Sequence, residues 1–282
     1  MWAIIGGSGF EKFEAFETVK VLPRETPFGP TSSGFKKIKV GGAEALFVSR
    51  HGEHHEILPT EINYRANVYA LKANGAKGII SFSAVGSLQE PYAPGDLVIP
   101  LQYIDRTKGL RKHTFCGDGV VGHMSLAYPV CRNSAERVHG IAKGQGIKSH
   151  LGGTYVCIEG PNFSTLSESL AYRDLKADII GMTNFPEYAL AREAGLSYLP
   201  CCFVTDYDCW DTQRPHVTLE EVITIMRQNN GKAFKILEQV LNAKEDILVG
   251  CHCTEQGLKT GLMTPKEAVP EKHREWLKTL MS

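Results

Sequence analysis

The chain has 282 residues, enough for one large domain with a full core or for two small ones, and its 43% apolar and 22% charged content is ordinary for a globular protein. Lysine plus arginine equals aspartate plus glutamate at 31 each, so no net field draws the chain to nucleic acid or to a membrane surface. The partners expected are therefore small molecules or proteins.

The predicted elements alternate strand, turn and helix in one α/β domain covering residues 1–282, without long linkers or low-complexity stretches. A first strand at Trp2–Ile5 closes on Gly6-Gly7-Ser8-Gly9, and no basic leader precedes it. No 18-residue apolar window exists, so no membrane span is expected and the compartment expected is the cytoplasm. Two short strands flank Gly41-Gly42 and end at Arg50-His51-Gly52. Residues 60–74 carry helical spacing, with Ile62, Ala66, Tyr69, Ala70 and Ala73 on one face and Gly75 as the stop. Lys77–Phe82 reads as a buried strand ending in Ser83-Ala84-Val85-Gly86-Ser87, and further strands are expected at Asp96–Pro100, Thr154–Ile158, Ile179–Met182 and Leu199–Val204.

Thr165-x-x-Glu168 is a capping box for a helix running toward Lys176, and Pro186 suits the first turn of a helix that ends at Gly195. Thr218-x-x-Glu221 opens the longest helix, whose stripe is Leu219, Val222, Ile223, Met226, Ile236, Leu237 and Val240. From about residue 244 the chain turns polar and irregular, punctuated by Pro265 and Pro270, and reads as an extension on the same domain.

Residues 198–210 concentrate the chemistry. An apolar run, Leu199–Val204, stops at Thr205-Asp206-Tyr207-Asp208, and Pro200 places its own position near the strand's start or at an edge. Two carboxylates two residues apart at a strand's C-terminal end share one face, where α/β folds bind ligands. They can accept from N–H groups, or donate a proton if the site raises their pKa. A polar turn with either aspartate as a cap accounts for the same stretch, and both readings stand at this point. Ser8, Ser83, Thr183 and Thr205 also fall at predicted strand ends, and together with Arg50-His51 they make a candidate oxyanion cradle.

Gly6-Gly7-Ser8-Gly9 is not a dinucleotide fingerprint, because Lys12 stands where the third glycine must allow close helix–strand packing. The histidine-rich stretch 51–56 lacks the H-E-x-x-H order of a helical zinc site, and His54 and His55 read as surface residues. Of the eight cysteines, Cys157, Cys201 and Cys202 lie in apolar runs and behave as small hydrophobes. Cys251-His252-Cys253 leaves metal, redox and structural readings open, and the lack of a second ligand pair speaks against zinc.

Several of these stretches recur together in one family. Gly-Gly-Ser-Gly at 6–9, Ser-Arg-His-Gly at 49–52, Asn63-Tyr64-Arg65-Ala66-Asn67, Ala84-Val85-Gly86-Ser87-Leu88, Glu159-Gly160-Pro161-x-Phe163-Ser164, Gly181-Met182-Thr183-x-x-Pro186-Glu187 and Thr205-Asp206-Tyr207-Asp208-Cys209-Trp210 stand in that order. The chain thereby resembles the methylthioadenosine phosphorylases of the trimeric purine nucleoside phosphorylase superfamily over residues 1 to about 242, and the Cys-x-Cys at 251–253 resembles one near the end of some microbial members. The resemblance implies a central mixed β-sheet or barrel flanked by helices. It also implies a homotrimer or dimer of trimers, and phosphorolysis of a purine nucleoside with inorganic phosphate as co-substrate and neither metal nor organic cofactor.

By motif, phosphate would meet Ser8, Arg50, His51, Ser83, Ala84 and Thr183. Relatives commonly carry threonine where this chain has Ser8 and Ser83, and either hydroxyl can donate. Met182 would hold the ribose through its backbone, Phe163 and Ser164 would contact the nucleoside, and Asp206 and Asp208 would read the base, Asp206 as the acid. Leu219, Val222 and Ile223 would line the 5′ pocket, joined by His123 from a neighbouring subunit. Asn162 departs from the arginine frequent there, which puts the packing of the Glu159 loop in doubt.

Overall fold

The computed structural model describes residues 1–11, 16–212, 219–243, 246–248 and 250–282, with the backbone alone at Leu219. In chain order the elements begin with β1 (Trp2–Gly6), β2 (Glu17–Leu22), β3 (Phe35–Val40), β4 (Ala43–Ser49), α1 (Tyr64–Ala73) and β5 (Gly78–Ser87). There follow β6 (Leu97–Ile99), β7 (Gln102–Arg106), α2 (Arg132–Gly144), β8 (Ser149–Leu151), β9 (Thr154–Ile158) and α3 (Leu166–Asp174). The chain closes with β10 (Ile179–Gly181), α4 (Asn184–Glu193), β11 (Ser197–Tyr207), α5 (Leu219–Leu241), α6 (Leu258–Gly261) and α7 (Glu271–Leu280).

Among the described residues these strands form one mixed sheet of 11, in which β5 is the branch point. On one side β5 pairs in parallel with β11 along its whole length. On the other it pairs with β1 from Gly78 to Ser81, then with antiparallel β10 at Gly86 and Ser87. Residues 82–85 therefore have no strand beside them on that side. A break in the ladder in the middle of a buried sheet exposes main-chain groups that need partners, and the functional cavity is built there.

The period of two along the strands divides the core. Ala3, Ile5, Ile79 and Tyr198 face a cluster with α1, α4 and α7, whereas Trp2, Ile4, Ile80 and Leu199 face one with α2 and α5. Helices thus cover both faces, as a mostly parallel, two-sided apolar sheet requires.

Several sequence expectations are corrected. Ser83 and Thr205 lie inside β5 and β11 rather than beyond them, because the two strands pair with each other as far as Ser87 and Tyr207 through a bulge between Val204 and Asp206. Pro200 is tolerated because the pairing of β11 with β6 is confined to Cys202 and Phe203. The helix expected from residue 60 starts at Tyr64, since the Asn63 side chain accepts from the Ala66 N–H and caps it there, and Ala73 is exposed. The capping box at Thr165 is formed as expected. The expected cap Thr218 and the side chain of Leu219 lie outside the described residues. The tail is less irregular than its prolines suggest: Pro270 precedes α7, which buries Trp276, Leu277 and Leu280 in the cluster under α1. Among the described residues no helix is long and apolar enough to cross a membrane.

Candidate active site

A cavity of about 690 Å³ opens at the break beside β5. It is lined by Ser8 and Gly9 after β1, Arg50 and His51 after β4, Ser83 and Ala84 within β5, Met182 and Thr183 after β10, and Asp206 and Asp208 at the end of β11. Phe163 and Ser164 from the loop before α3, and Val222, Ile223 and Met226 from α5, complete the wall. Every residue expected at the phosphate end reaches this one cavity, and so do the residues expected around the nucleoside except two. His123 is exposed on a coil, its N–H bonded to the Gly261 carbonyl, and does not line the cavity of its own chain. Leu219 cannot be placed, because its side chain lies outside the described residues.

Arg50 is only 1% exposed, and its fork is largely committed to the protein. Nε and Nη2 donate to the two oxygens of Glu187 at 3.0 Å each, Nη2 donates to Ser81 at 2.6 Å, and Nη1 donates to the Phe82 carbonyl at 2.9 Å. That carbonyl belongs to the stretch of β5 left without a neighbouring strand. Glu187 also accepts from Ser81 at 2.5 Å and from the Tyr198 hydroxyl at 2.8 Å. The expectation of an arginine free to clamp an oxyanion with both arms is therefore revised. Nη1, whose contact with the Ser83 hydroxyl is long at 3.3 Å, is the nitrogen least committed and so the one with a donor to offer a ligand. Because Glu187 neutralises the guanidinium, this end depends on directed O–H and N–H donors more than on net charge. Gly7 makes room for the arrangement, since a Cβ there would stand 2.3 Å from Arg50 Nη1 and 2.6 Å from the Phe82 carbonyl.

His51 is buried and neutral near pH 7, its pKa pushed down to about 4 by burial and by Arg50 beside it. Its Nδ1 lies 2.9 Å from the Ile57 carbonyl, which can only accept, so Nδ1 carries the proton and Nε2 holds a lone pair. The ring is thus suited to accept a proton-bearing oxygen rather than to donate to an anion. His55, expected on the surface, is exposed but stands at the cavity rim. It stacks on His51 with centroids 4.6 Å apart and pairs with Glu11 at 2.7 Å.

At the opposite end, burial raises the pKa of Asp206 to about 6, with Asp208 adding to the rise and the Thr205 hydroxyl working against it. Burial also raises Asp208. Among the described residues, Asp208 Oδ2 and Ser164 Oγ are buried polar atoms without a hydrogen-bond partner, and both residues line the cavity. Buried groups of this kind mark where a ligand's donors belong. Asp206 lies within β11 and Asp208 just past its end, where the Asp208 N–H bonds the Ser87 carbonyl and extends the β5–β11 pairing.

The loop carrying Phe163 is anchored by a residue the sequence did not single out. Arg111, 4% exposed, donates to Glu159 Oε1 at 2.7 Å, to the Met182 carbonyl at 2.7 Å and to the Phe185 carbonyl at 2.6 Å. Glu159 and Met182 are thereby locked together independently of Asn162, which resolves the packing of that loop. Phe163 itself is 84% exposed at the rim, placed to cover a planar group rather than to fill the core. Met226, in the predicted helical stripe one turn from Val222, joins the cavity wall. The stripe divides: Ile236, Leu237 and Val240 are buried against the sheet, while Val222, Ile223 and Met226 turn to the cavity.

Residues 2–242 match the family model of the phosphorylase superfamily. S-methyl-5′-thioadenosine phosphorylase of Geobacter sulfurreducens is 43% identical over 274 residues, covering 97% of this chain and 95% of the relative. The enzyme of that name from Hyperthermus butylicus is 48% identical over 240 residues, covering 85% and 86%. Among solved structures, a methylthioadenosine phosphorylase from an Antarctic soil metagenomic library superposes with a TM-score of 0.90 at 40% identity, over 100% of this chain and 98% of that one. A variant adenosine/methylthioadenosine phosphorylase from Schistosoma mansoni, solved with methylthioadenosine, gives a TM-score of 0.80 at 34% identity, over 99% and 96%. By this likeness, along nearly its whole length, the chain belongs to the phosphorylase superfamily, among its S-methyl-5′-thioadenosine phosphorylases.

Proposed function

We propose that the protein cleaves 5′-methylthioadenosine with inorganic phosphate, giving adenine and 5-methylthioribose 1-phosphate. The observation that carries this is one cavity with anion donors around Arg50 at one end and an acid of raised pKa, Asp206, at the other. Cleavage of the N9–C1′ bond leaves positive charge on the ribose and negative charge on the base. Phosphate held by Ser8, Arg50, Ser83, Thr183 and the main chain at Ala84 stabilises the first and then attacks C1′. His51 accepts the hydrogen that phosphate carries. Asp206 gives its proton to N7, and Asp208 accepts from the N6 amine. The Met182 carbonyl is held by Arg111, so its N–H is the main-chain donor a ribose hydroxyl meets. Phosphate is both nucleophile and co-substrate, so the chemistry calls for no metal or organic cofactor.

His123 belongs, on this reading, to the 5′ pocket of a neighbouring copy, which makes the active form a homotrimer or a dimer of trimers. All eight cysteines are unpaired, which suits a reducing compartment, and the cytoplasm is the one proposed.

A hydrolytic nucleosidase has no use for the donors around Arg50. A phosphorylase of 6-oxopurine nucleosides or methylthioinosine is the nearer rival, and Asp208 argues against it, because an acceptor carboxylate repels a carbonyl oxygen. A site built around buried hydrogen bonds rejects a mismatched analogue by roughly 10⁴-fold. Methylthioadenosine should accordingly exceed methylthioinosine in kcat/KM by several orders of magnitude. Asp208→Asn, which supplies an amide donor, should narrow that gap. Comparing both nucleosides in both proteins tests this, and a wild-type preference for the inosine analogue would overturn the adenine assignment.

The apolar wall of Val222, Ile223 and Met226 fits a methylthio group better than a hydroxyl. One such group is worth roughly a 10- to 200-fold difference in an apolar pocket. Adenosine should be a measurable but poorer substrate by about that factor, and Met226→Ser should shrink the difference. Faster turnover of adenosine would show that these side chains do not face the 5′ group.

A further inference from the structure

Near the start of β11, at the opposite end of that strand from Asp206, three cysteine sulfurs meet. Cys131 precedes α2, and its N–H bonds the Tyr198 carbonyl at 3.2 Å. Cys251 and Cys253 come from the tail, which this same helix end holds: Asn133 Nδ2 donates to the Gly250 carbonyl at 2.8 Å and Ser134 Oγ to the Ile247 carbonyl at 3.1 Å. The sulfurs of Cys131 and Cys251 lie 3.2 Å apart, and all three Sγ atoms are within 4.8 Å of one another. Cys131 and Cys253 are buried, Cys251 is partly open to solvent, and all three are unpaired. No function derived above uses them.

The distances select the chemistry. A covalent S–S bond is about 2.05 Å long, well short of the separation found. Thiolates bound at about 2.3 Å to one tetrahedral cation stand roughly 3.8 Å apart, within the spread of this cluster. A disulfide would use two of the sulfurs and leave the third stranded, whereas a cation engages all three. The surroundings also favour thiolate charge. Cys131 sits at the positive end of a 13-residue helix, where the dipole favours a thiolate.

We propose that Cys131, Cys251 and Cys253 form a three-thiolate site for a thiophilic d¹⁰ cation such as Zn²⁺, with solvent at the fourth position beside Cys251. Binding displaces up to three thiol protons to the buffer, and no oxidation or reduction is involved. The cation joins the tail to the start of α2, so it stabilises the folded chain by linkage.

The test uses the full chain, purified under reducing conditions, stripped with a chelator and titrated with Cd²⁺ and, in competition with a chromophoric chelator, with Zn²⁺. The expected result is one cation per chain, a cadmium–thiolate charge-transfer band of three-thiolate intensity, and a Tm raised by a few degrees. Cys131→Ser, Cys251→Ser and Cys253→Ser should each lower affinity at least about tenfold and shrink the band, while Cys116→Ser leaves both unchanged. Far-UV circular dichroism checks that each variant is folded, and should Cys131→Ser fail to fold, the two tail variants carry the test. The proposal is overturned if no thiolate band appears, if folded tail variants bind as well as the wild type, or if mass spectrometry finds Cys251 in a disulfide under these conditions.

Discussion

Asp206→Asn should lower the kcat for methylthioadenosine phosphorolysis by roughly 10²–10⁴, the usual contribution of a positioned general acid, and at the same time make the protein more stable. The second half follows from the environment. Burial lifts the carboxyl from 3.8 to about 6, so the folded state holds its proton more tightly than the unfolded chain does. Ionising Asp206 then costs stability: the cost is absent below pH 4, grows between 4 and 6, and is fully present above 6. By linkage it amounts to as much as about 3 kcal/mol at pH 7, and an uncharged amide of the same shape escapes it. Unfolding by urea at pH 7 and at pH 4 should show the variant's advantage only at the higher pH. A capping aspartate predicts the reverse sign, a loss of about 1 kcal/mol on removal. The pH–rate profile supplies a third readout. Wild-type kcat/KM should fall as pH rises above 6 and the acid is lost, and this limb should be missing in the variant. Full activity in Asp206→Asn would remove the acid from the mechanism.

Arg50→Ala should cost both catalysis and stability, because the same guanidinium that offers Nη1 to the cavity neutralises Glu187. Glu187 is 1% exposed, and stripping its partner leaves a buried charge with, among the described residues, only Ser81 and Tyr198 as donors. Breaking such a pair costs about 3–5 kcal/mol. The two roles can be separated. Arg50→Met with Glu187→Gln removes both charges and should recover most of the lost stability, whereas the KM for phosphate should stay far above wild type. Recovery of phosphate affinity in the double variant would mean that Arg50 serves the fold alone.

Sequence and structure agree best where one short stretch carries both the motif and its geometry. The turn at Ser8, the Arg50-His51 pair, the Met182-Thr183 step and the Asp206/Asp208 spacing were each readable locally, and the sheet brings all of them to one cavity. What stayed hidden depends on contacts far apart in the chain. Arg50 and Glu187 are 137 residues apart, so nothing near Arg50 reveals that its fork is already occupied. Arg111 sits in a coil without periodicity, and its hold on Glu159 and Met182 exists only once β9 and β10 lie side by side. Cys131, a single cysteine before a helix, gave no hint of the pair 120 residues later. Strand β2 escaped because all but its last residue are exposed, which erases the alternation that betrays a strand. The missed helix α7 is different. Trp276, Leu277 and Leu280 have helical spacing, but nearby prolines ordinarily signal a break, whereas Pro270 stands at the helix's start.

The central claim is that phosphate, not water, takes the ribose. It is tested most directly by incubating the purified protein with methylthioadenosine in phosphate-free buffer and again with phosphate, following adenine and the sugar product together. Adenine should appear only with phosphate, matched mole for mole by 5-methylthioribose 1-phosphate. Equal release of adenine without phosphate, with free methylthioribose as the partner product, would contradict the account and make the protein a hydrolase.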